Sequence, residues 1–117
     1  MCQKNMKCFC DEEVTYSLKI EGDVGADPIW CNECMCNLEL EDLSISDELK
    51  SQLRKWMRAY GTWIDWEKDK IVPNGIELEA EHNEQGEKLT EKVKWEVDGK
   101  YKIRFSASTM VRYYNSL

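Results

Sequence analysis

Six cysteines, all within the first 36 of the 117 residues, restrict how this chain can fold more than any other feature. They are Cys2, Cys8, Cys10, Cys31, Cys34 and Cys36. Two close pairs separated by twenty residues are typical of a metal site, because each pair presents two sulfurs from one tight turn. The first residues contain no apolar segment of a secretory signal, so structural disulfides are not favoured and a cytoplasmic location is predicted.

The preferred metal ligands are Cys8, Cys10, Cys31 and Cys34, with Cys2 and Cys36 as alternates. Four thiolates can hold Zn²⁺ in a tetrahedral site at about 2.3 Å from each sulfur. A mononuclear iron site would use the same four sulfurs, so the sequence does not separate iron from zinc. The alternative interpretation is a thiol-based redox or metal-responsive regulator that uses the two surplus cysteines.

The segments that flank the cysteines alternate apolar and polar residues, as half-buried strands do. One such segment is 14–20, a turn follows at 21–25, and a second alternation covers 37–41. Two cysteine pairs, each followed by a strand, resemble a zinc ribbon over residues 8–41. The resemblance implies a structural metal ion and implies no catalysis.

The net charge of −7 is concentrated in the part of the chain that carries the cysteines. Residues 1–45 hold three lysines and ten acidic residues, whereas residues 46–117 hold 13 basic and 13 acidic residues. Zinc modules that bind nucleic acid use a basic surface to displace counterions from phosphate, so nucleic-acid binding is disfavoured. The charge predicts a basic or hydrophobic protein partner instead.

The clearest helix is predicted for residues 46–67, where apolar side chains recur on one face with a period of 3.6 residues. Ser46 is placed to cap its first turn, and Gly61 interrupts the pattern. Trp66 lies off the apolar face, which makes it the predicted exposed contact residue. No stretch approaches the roughly 20 apolar residues that a membrane-spanning helix needs.

Residues 76–97 are predicted to form a second helix, because good helix formers dominate and apolar residues keep an approximate helical stripe. The alternative for residues 86–105 is a β-hairpin around Asp98-Gly99, but its register would place apolar residues opposite basic ones. A strand is predicted at 100–105, and we expect it to join or cover the strands near the cysteines. A short C-terminal helix follows Ser106 or Ser108.

Nothing in the sequence marks a catalytic nucleophile or a phosphate-binding loop, so an enzyme is the less favoured interpretation. The single histidine, His82, lies in a charged segment where a surface or boundary position is expected, and a fifth candidate metal ligand is the alternative. The sequence predicts an α+β fold in a single domain, 1–117. A zinc-ribbon-like module at 8–41 would pack with two longer helices, one further strand and a short C-terminal helix in the remainder, 46–117. The predicted function is a zinc-binding protein with a structural site of four cysteines that binds a protein partner.

Overall fold

The computed structural model describes residues 6–7 and 14–115, with side chains described for 15–114. Over these residues the chain is α+β, as predicted, with helices packed on small sheets. The elements are β1 (Met6–Lys7), β2 (Val14–Thr15), β3 (Ser17–Ile20), β4 (Ile29–Cys31), a 3₁₀ helix (Leu40–Asp42), α1 (Asp47–Arg58), β5 (Ile64–Asp65), β6 (Lys70–Ile71), α2 (Gly75–Val97), β7 (Lys102–Phe105) and α3 (Met110–Asn115). None of the described helices is long and apolar enough to cross a membrane.

A three-stranded sheet in the order β4-β3-β7 lies at the centre of the molecule. β3 pairs antiparallel with β4, so that Leu18 lies opposite Cys31. β3 also pairs in parallel with β7, so that Leu18 lies opposite Ile103 on that side. The prediction that the strand near residue 100 joins the strands beside the cysteines is therefore confirmed.

The main core lies between one face of this sheet and the two long helices. Its buried side chains from the sheet and helices include Leu18, Ile20, Ile29, Cys31, Leu49, Leu53, Trp56, Leu89, Val93, Val97 and Ile103. Burial of apolar side chains contributes roughly 1.5–3 kcal/mol for each large residue removed from water, so this cluster is the main source of stability. A second, smaller cluster holds Trp63, Ile64 and Val111 where the β5-β6 hairpin meets α3.

The zinc-ribbon interpretation of residues 8–41 is wrong in its strand pattern. The second predicted strand is a single bridge between Asn37 and β4, followed by the 3₁₀ helix. Side-chain hydrogen bonds replace the strand pairing here. The Asn37 amide donates to the Asp27 carbonyl at 2.8 Å, and the Asp27 carboxylate accepts the Leu40 N–H at 2.9 Å. The third strand of the central sheet is β7, from near the other end of the chain.

α1 is shorter than the predicted helix over 46–67. Ser46 caps its start as predicted, because its Oγ accepts the backbone N–H of Leu49 at 3.1 Å. The helix ends at Arg58, and Gly61 then takes a left-handed φ of 83° that an α-helix does not continue through. Residues 59–67 of the predicted helix instead form a turn and the first strand of the β5-β6 hairpin. Trp63 therefore reaches the second cluster from the turn, and Ile64 reaches it from β5.

α2 confirms the helix predicted for 76–97, and the hairpin alternative is wrong. The helix ends where Asp98 and Gly99 take left-handed φ values of 47° and 78°. One face of α2 packs on α1 and β7. The buried residues of that face are Gly75, His82, Gly86, Leu89, Thr90, Val93 and Val97.

His82 is only 6% exposed, which corrects the expected surface position. Its ring stacks on Trp56 with a centroid distance of 4.3 Å, and the rings of Trp63 and Tyr60 lie 4.9 Å and 5.8 Å away. Burial lowers the pKa of His82 to about 4, because an imidazolium ion would lose its hydration among these rings. Among the described residues, its Nδ1 atom has no hydrogen-bond partner.

Gly86 of α2 allows both β7 and α1 to pack closely against this helix. A Cβ added at this position would lie 2.4 Å from the Phe105 ring of β7 and 2.8 Å from the Trp56 ring of α1. Glycine inside a helix costs about 1 kcal/mol relative to alanine. The close approach of the sheet and α1 to α2 is the structural reason for a glycine here.

We expect Gly86→Ala to lower the free energy of unfolding by about 1–3 kcal/mol, because the new methyl group overpacks the core. Helix propensity alone predicts the opposite sign, a gain of about 1 kcal/mol. Urea unfolding followed by circular dichroism measures the difference. The matched control is Ala80→Gly at an exposed position of the same helix, where a loss of about 1 kcal/mol is expected from propensity alone. A more stable Gly86→Ala variant would contradict the packing described for α2.

The depressed pKa of His82 predicts an acid-sensitive core. The unfolded chain takes up this proton near pH 6.5, whereas the folded chain resists it until about pH 4. Stability from His82 is therefore fully present above pH 6.5 and is lost as the pH falls towards 4. Between pH 7 and pH 5 we expect wild type to lose about 2 kcal/mol more than His82→Phe, which keeps a ring without a titrating proton. Equal pH dependence of the two proteins in urea unfolding would refute this assignment.

Candidate protein-binding surface

Three of the six cysteines lie at the end of β4 and in the turn that follows it. Cys31 is buried, and Cys34 and Cys36 are partly buried. The described residues do not include the other three, Cys2, Cys8 and Cys10. Within residues 15–114, no group of three or more His, Cys, Asp or Glu side chains is arranged to hold a metal ion. The predicted set of four cysteine ligands therefore stays a prediction.

Two backbone N–H groups donate hydrogen bonds to the sulfur of Cys31. Its Sγ accepts the N–H of Glu33 at 3.4 Å and the N–H of Cys34 at 3.5 Å. Met35, in a left-handed conformation with φ of 65°, donates its N–H to the Cys31 carbonyl at 2.9 Å and closes the turn. Donors directed at a sulfur balance the charge of a thiolate, which is the form that binds metal ions.

Large apolar side chains are exposed at several separate places on the surface. They are Tyr16, Val24, Met35, Trp66, Ile76, Trp95 and Tyr113. Trp95 is the most exposed of them at 83%, compared with 55% for Trp66. A tryptophan carries a large apolar area, and aromatic residues of this kind are enriched where proteins bind each other.

Helical geometry explains why Trp95 faces away from the core. Val93 and Val97 lie on the buried face of α2, and a step of two residues turns a helix by about 200°. Trp95 therefore lies on the outward face, where its neighbours one turn away are Glu91 and Lys92, both exposed. The side chain is an apolar surface among charged groups.

A groove of about 380 Å³ lies beside Trp95, between the start of α1 and the end of α2. We call it the Trp95 groove, and its lining residues are Ser46, Glu48, Leu49 and Gln52 of the α1 region and Glu91, Lys92, Trp95 and Glu96 of α2. Three carboxylates and one ammonium group line it, so its charge has the same sign as that of the whole chain.

Glu96 holds the two walls of the Trp95 groove together. Its carboxylate accepts the backbone N–H of Ser46 at 2.6 Å and the Ser46 hydroxyl at 3.0 Å. Because Ser46 is the N-cap of α1, these bonds connect the first turn of α1 to the last turn of α2. Lys92 reaches across the same gap to the Gln52 side chain at 3.4 Å. The groove is therefore formed before any partner arrives.

The concave surface continues past Trp95. A second depression shares Trp95 and Glu96 with the groove and extends to Gly99. A third depression shares Gly99 and extends to Tyr16 and Lys100 at the edge of the central sheet. Trp95 lines both the groove and the second depression, so a partner that occupies either one would contact its side chain.

The sequence singles out Trp66 as the exposed contact residue and does not single out Trp95. Trp66 is exposed, as predicted, but its ring packs beside Gly61 and is less exposed than Trp95. The criterion that selects Trp66, a position off the apolar stripe of a helix, applies equally to Trp95 on α2. The groove beside it carries no sequence signal, because it exists only where α1 packs on α2.

Comparison with known protein families gives a match over most of the chain. A family described as Serratia CdiI immunity protein-like matches residues 16–108, about four-fifths of the sequence. A search of curated proteins finds no match. The matched region begins inside the segment 8–41 and continues through both long helices and β7, which overturns the assignment of that segment as a zinc ribbon. This chain therefore belongs to the Serratia CdiI immunity protein-like family.

Proposed function

We propose that this chain binds a protein toxin and blocks its action. Its membership of an immunity protein-like family over residues 16–108 is the observation that carries the proposal. An immunity protein acts by binding, so the feature to expect is a surface that a partner can cover. The exposed Trp95 and the preformed groove beside it support such a role.

The charge of the chain supports a partner with a basic surface. A net charge of −7 on 117 residues attracts a cationic protein over a distance and speeds their encounter. Salt screens this attraction, so the association rate of such a pair depends on ionic strength more than the dissociation rate does.

A toxin must be inherited together with the protein that neutralises it, so the product of the neighbouring reading frame is the first candidate partner. We expect co-expression with this chain to restore the growth of cells that make that product. We expect the two purified proteins to form a stable complex, whose association rate falls about tenfold or more when salt is raised from about 50 to about 500 mM.

The control is co-expression of the chain with an unrelated toxin, which should give no protection. Growth arrest that persists in the presence of the chain, together with the absence of a complex on size-exclusion chromatography, would contradict the proposal. Protection without a complex would also contradict it, because the proposed action is direct binding.

As a separate property, we propose that Cys31 and Cys34 bind a metal ion, zinc or iron, together with Cys8 and Cys10. The cysteine spacing and the two N–H groups that surround the Cys31 sulfur support it. We propose a structural role for this site, in which the free energy of metal binding stabilises the folded chain.

Protein purified without added metal should contain one equivalent of zinc or iron by elemental analysis. Cys34→Ser should lose that metal and unfold at a lower temperature, because one of four ligands is gone. Cys36→Ser tests the alternate ligand and should retain the metal, whereas loss of metal in this variant instead of in Cys34→Ser would assign Cys36 as the fourth ligand. Metal-free native protein would refute the site.

We also propose that residues 1–117 act as a single domain. The parallel pairing of β3 with β7 and the packing of α2 on both α1 and β7 support it. A partner that covers the Trp95 groove would then contact a surface whose two walls unfold together.

A further inference from the structure

We propose that the Trp95 groove is the toxin-binding surface of this chain, and that its occupant is an arginine-bearing, cationic segment of the toxin. The inference rests on the proposed function and adds to it the place of binding and the chemistry of the partner. Three observations carry it, namely the exposure of Trp95, the charge of the lining and the hydrogen bonds that join the two walls of the groove.

The Trp95 side chain does not belong to either described core cluster. Trp95 is 83% exposed on the face of α2 opposite the core. A partner that covers it would remove a large apolar surface from water, as the central residues of protein interfaces do. Leu49 also lines the groove, but it is only 2% exposed, so Trp95 is the main apolar contact that the groove offers.

The groove offers two kinds of contact to an arginine side chain of the partner. Glu48, Glu91 and Glu96 supply carboxylates, and Trp95 supplies the face of an aromatic ring. A guanidinium group can stack on the indole and donate N–H groups to the carboxylates at the same time. Glu48 and Glu91 lie at exposed positions, so they can form these contacts at the rim while Glu96 keeps its bonds to Ser46. Glu91 already forms an exposed ion pair with Lys94 at 3.1 Å, and a guanidinium group would share or replace that contact.

The groove does not need to rearrange before it binds. The bonds from Glu96 to Ser46 and the contact from Lys92 to Gln52 already hold α1 against α2. A preformed site saves the entropy that a loop would lose on ordering, so more of the contact energy appears as affinity.

The test uses the purified product of the neighbouring reading frame and isothermal titration calorimetry with the full chain. Trp95→Ala should weaken binding about 30-fold or more, the range of a central interface residue. Trp95→Phe keeps an aromatic ring and should recover part of the loss. Trp66→Ala removes an exposed tryptophan elsewhere and should change the affinity about threefold or less.

The charge of the groove is tested with two double variants that change the net charge equally. Glu48→Lys with Glu91→Lys reverses two carboxylates of the groove and should weaken binding about tenfold or more. Glu77→Lys with Glu81→Lys reverses two carboxylates on the same helix, where Glu81 lies about 21 Å from Trp95, and should have the smaller effect. Circular dichroism and urea unfolding check that every variant folds.

Strong loss with Trp95→Ala, partial recovery with Trp95→Phe and small effects of both controls support the inference. Wild-type binding that is insensitive to Trp95→Ala overturns the inference and leaves the proposed function standing. Equal weakening by the two double variants overturns the local charge contact in favour of long-range attraction. Absence of wild-type binding overturns both the inference and the proposed function.

Discussion

The parallel pairing of β3 with β7 joins residues from opposite ends of the chain, and the rest of the structure depends on it. Leu18 and Ile20 lie opposite Ile103 and Phe105, so both long helices belong to the connection between the paired strands. Parallel neighbours require a long crossover, which the helices supply here. The apolar face of the sheet then determines which sides of α1 and α2 are buried.

α2 connects the core to the candidate binding surface. On its inward side, Gly86 lets Phe105 and Trp56 approach the helix backbone. On its outward side it presents Trp95, and its last turn holds Glu96 against the start of α1. The shape of the Trp95 groove therefore depends on the packing of the core, to which the groove itself contributes only Leu49.

The cysteine region shows how a correct burial pattern can accompany a wrong strand assignment. Leu38 and Leu40 alternate with polar residues, and both are buried as a half-buried strand would require. Their backbone, however, meets β4 only at one bridge, where the Leu38 N–H donates to the Ile29 carbonyl at 2.9 Å. The Leu40 N–H donates to the Asp27 carboxylate instead, and a 3₁₀ turn follows. Cys31 itself packs in the core opposite Leu18. Apolar alternation indicates which side chains are buried but does not identify the partner of the backbone.

The sequence by itself determined the elements that depend on near neighbours. The second long helix and its end at Gly99 follow from composition and left-handed geometry, and the Ser46 cap follows from the preference for a hydroxyl at a helix start. The acidic charge, which favours a basic partner, also needs only the sequence. Family membership required comparison with other proteins and rests on a match over residues 16–108.

Only the tertiary structure decided features that depend on residues far apart in the chain. The parallel register of β7 on β3, the burial of His82 between aromatic rings of the α1 region, and the groove beside Trp95 all arise from contacts between separate elements. His82 lies in a charged segment, and nothing near it in sequence indicates that Trp56 will cover its ring. The physical reason is that caps, turns and helical periods act over a few residues, whereas burial and concave surfaces depend on which elements pack together.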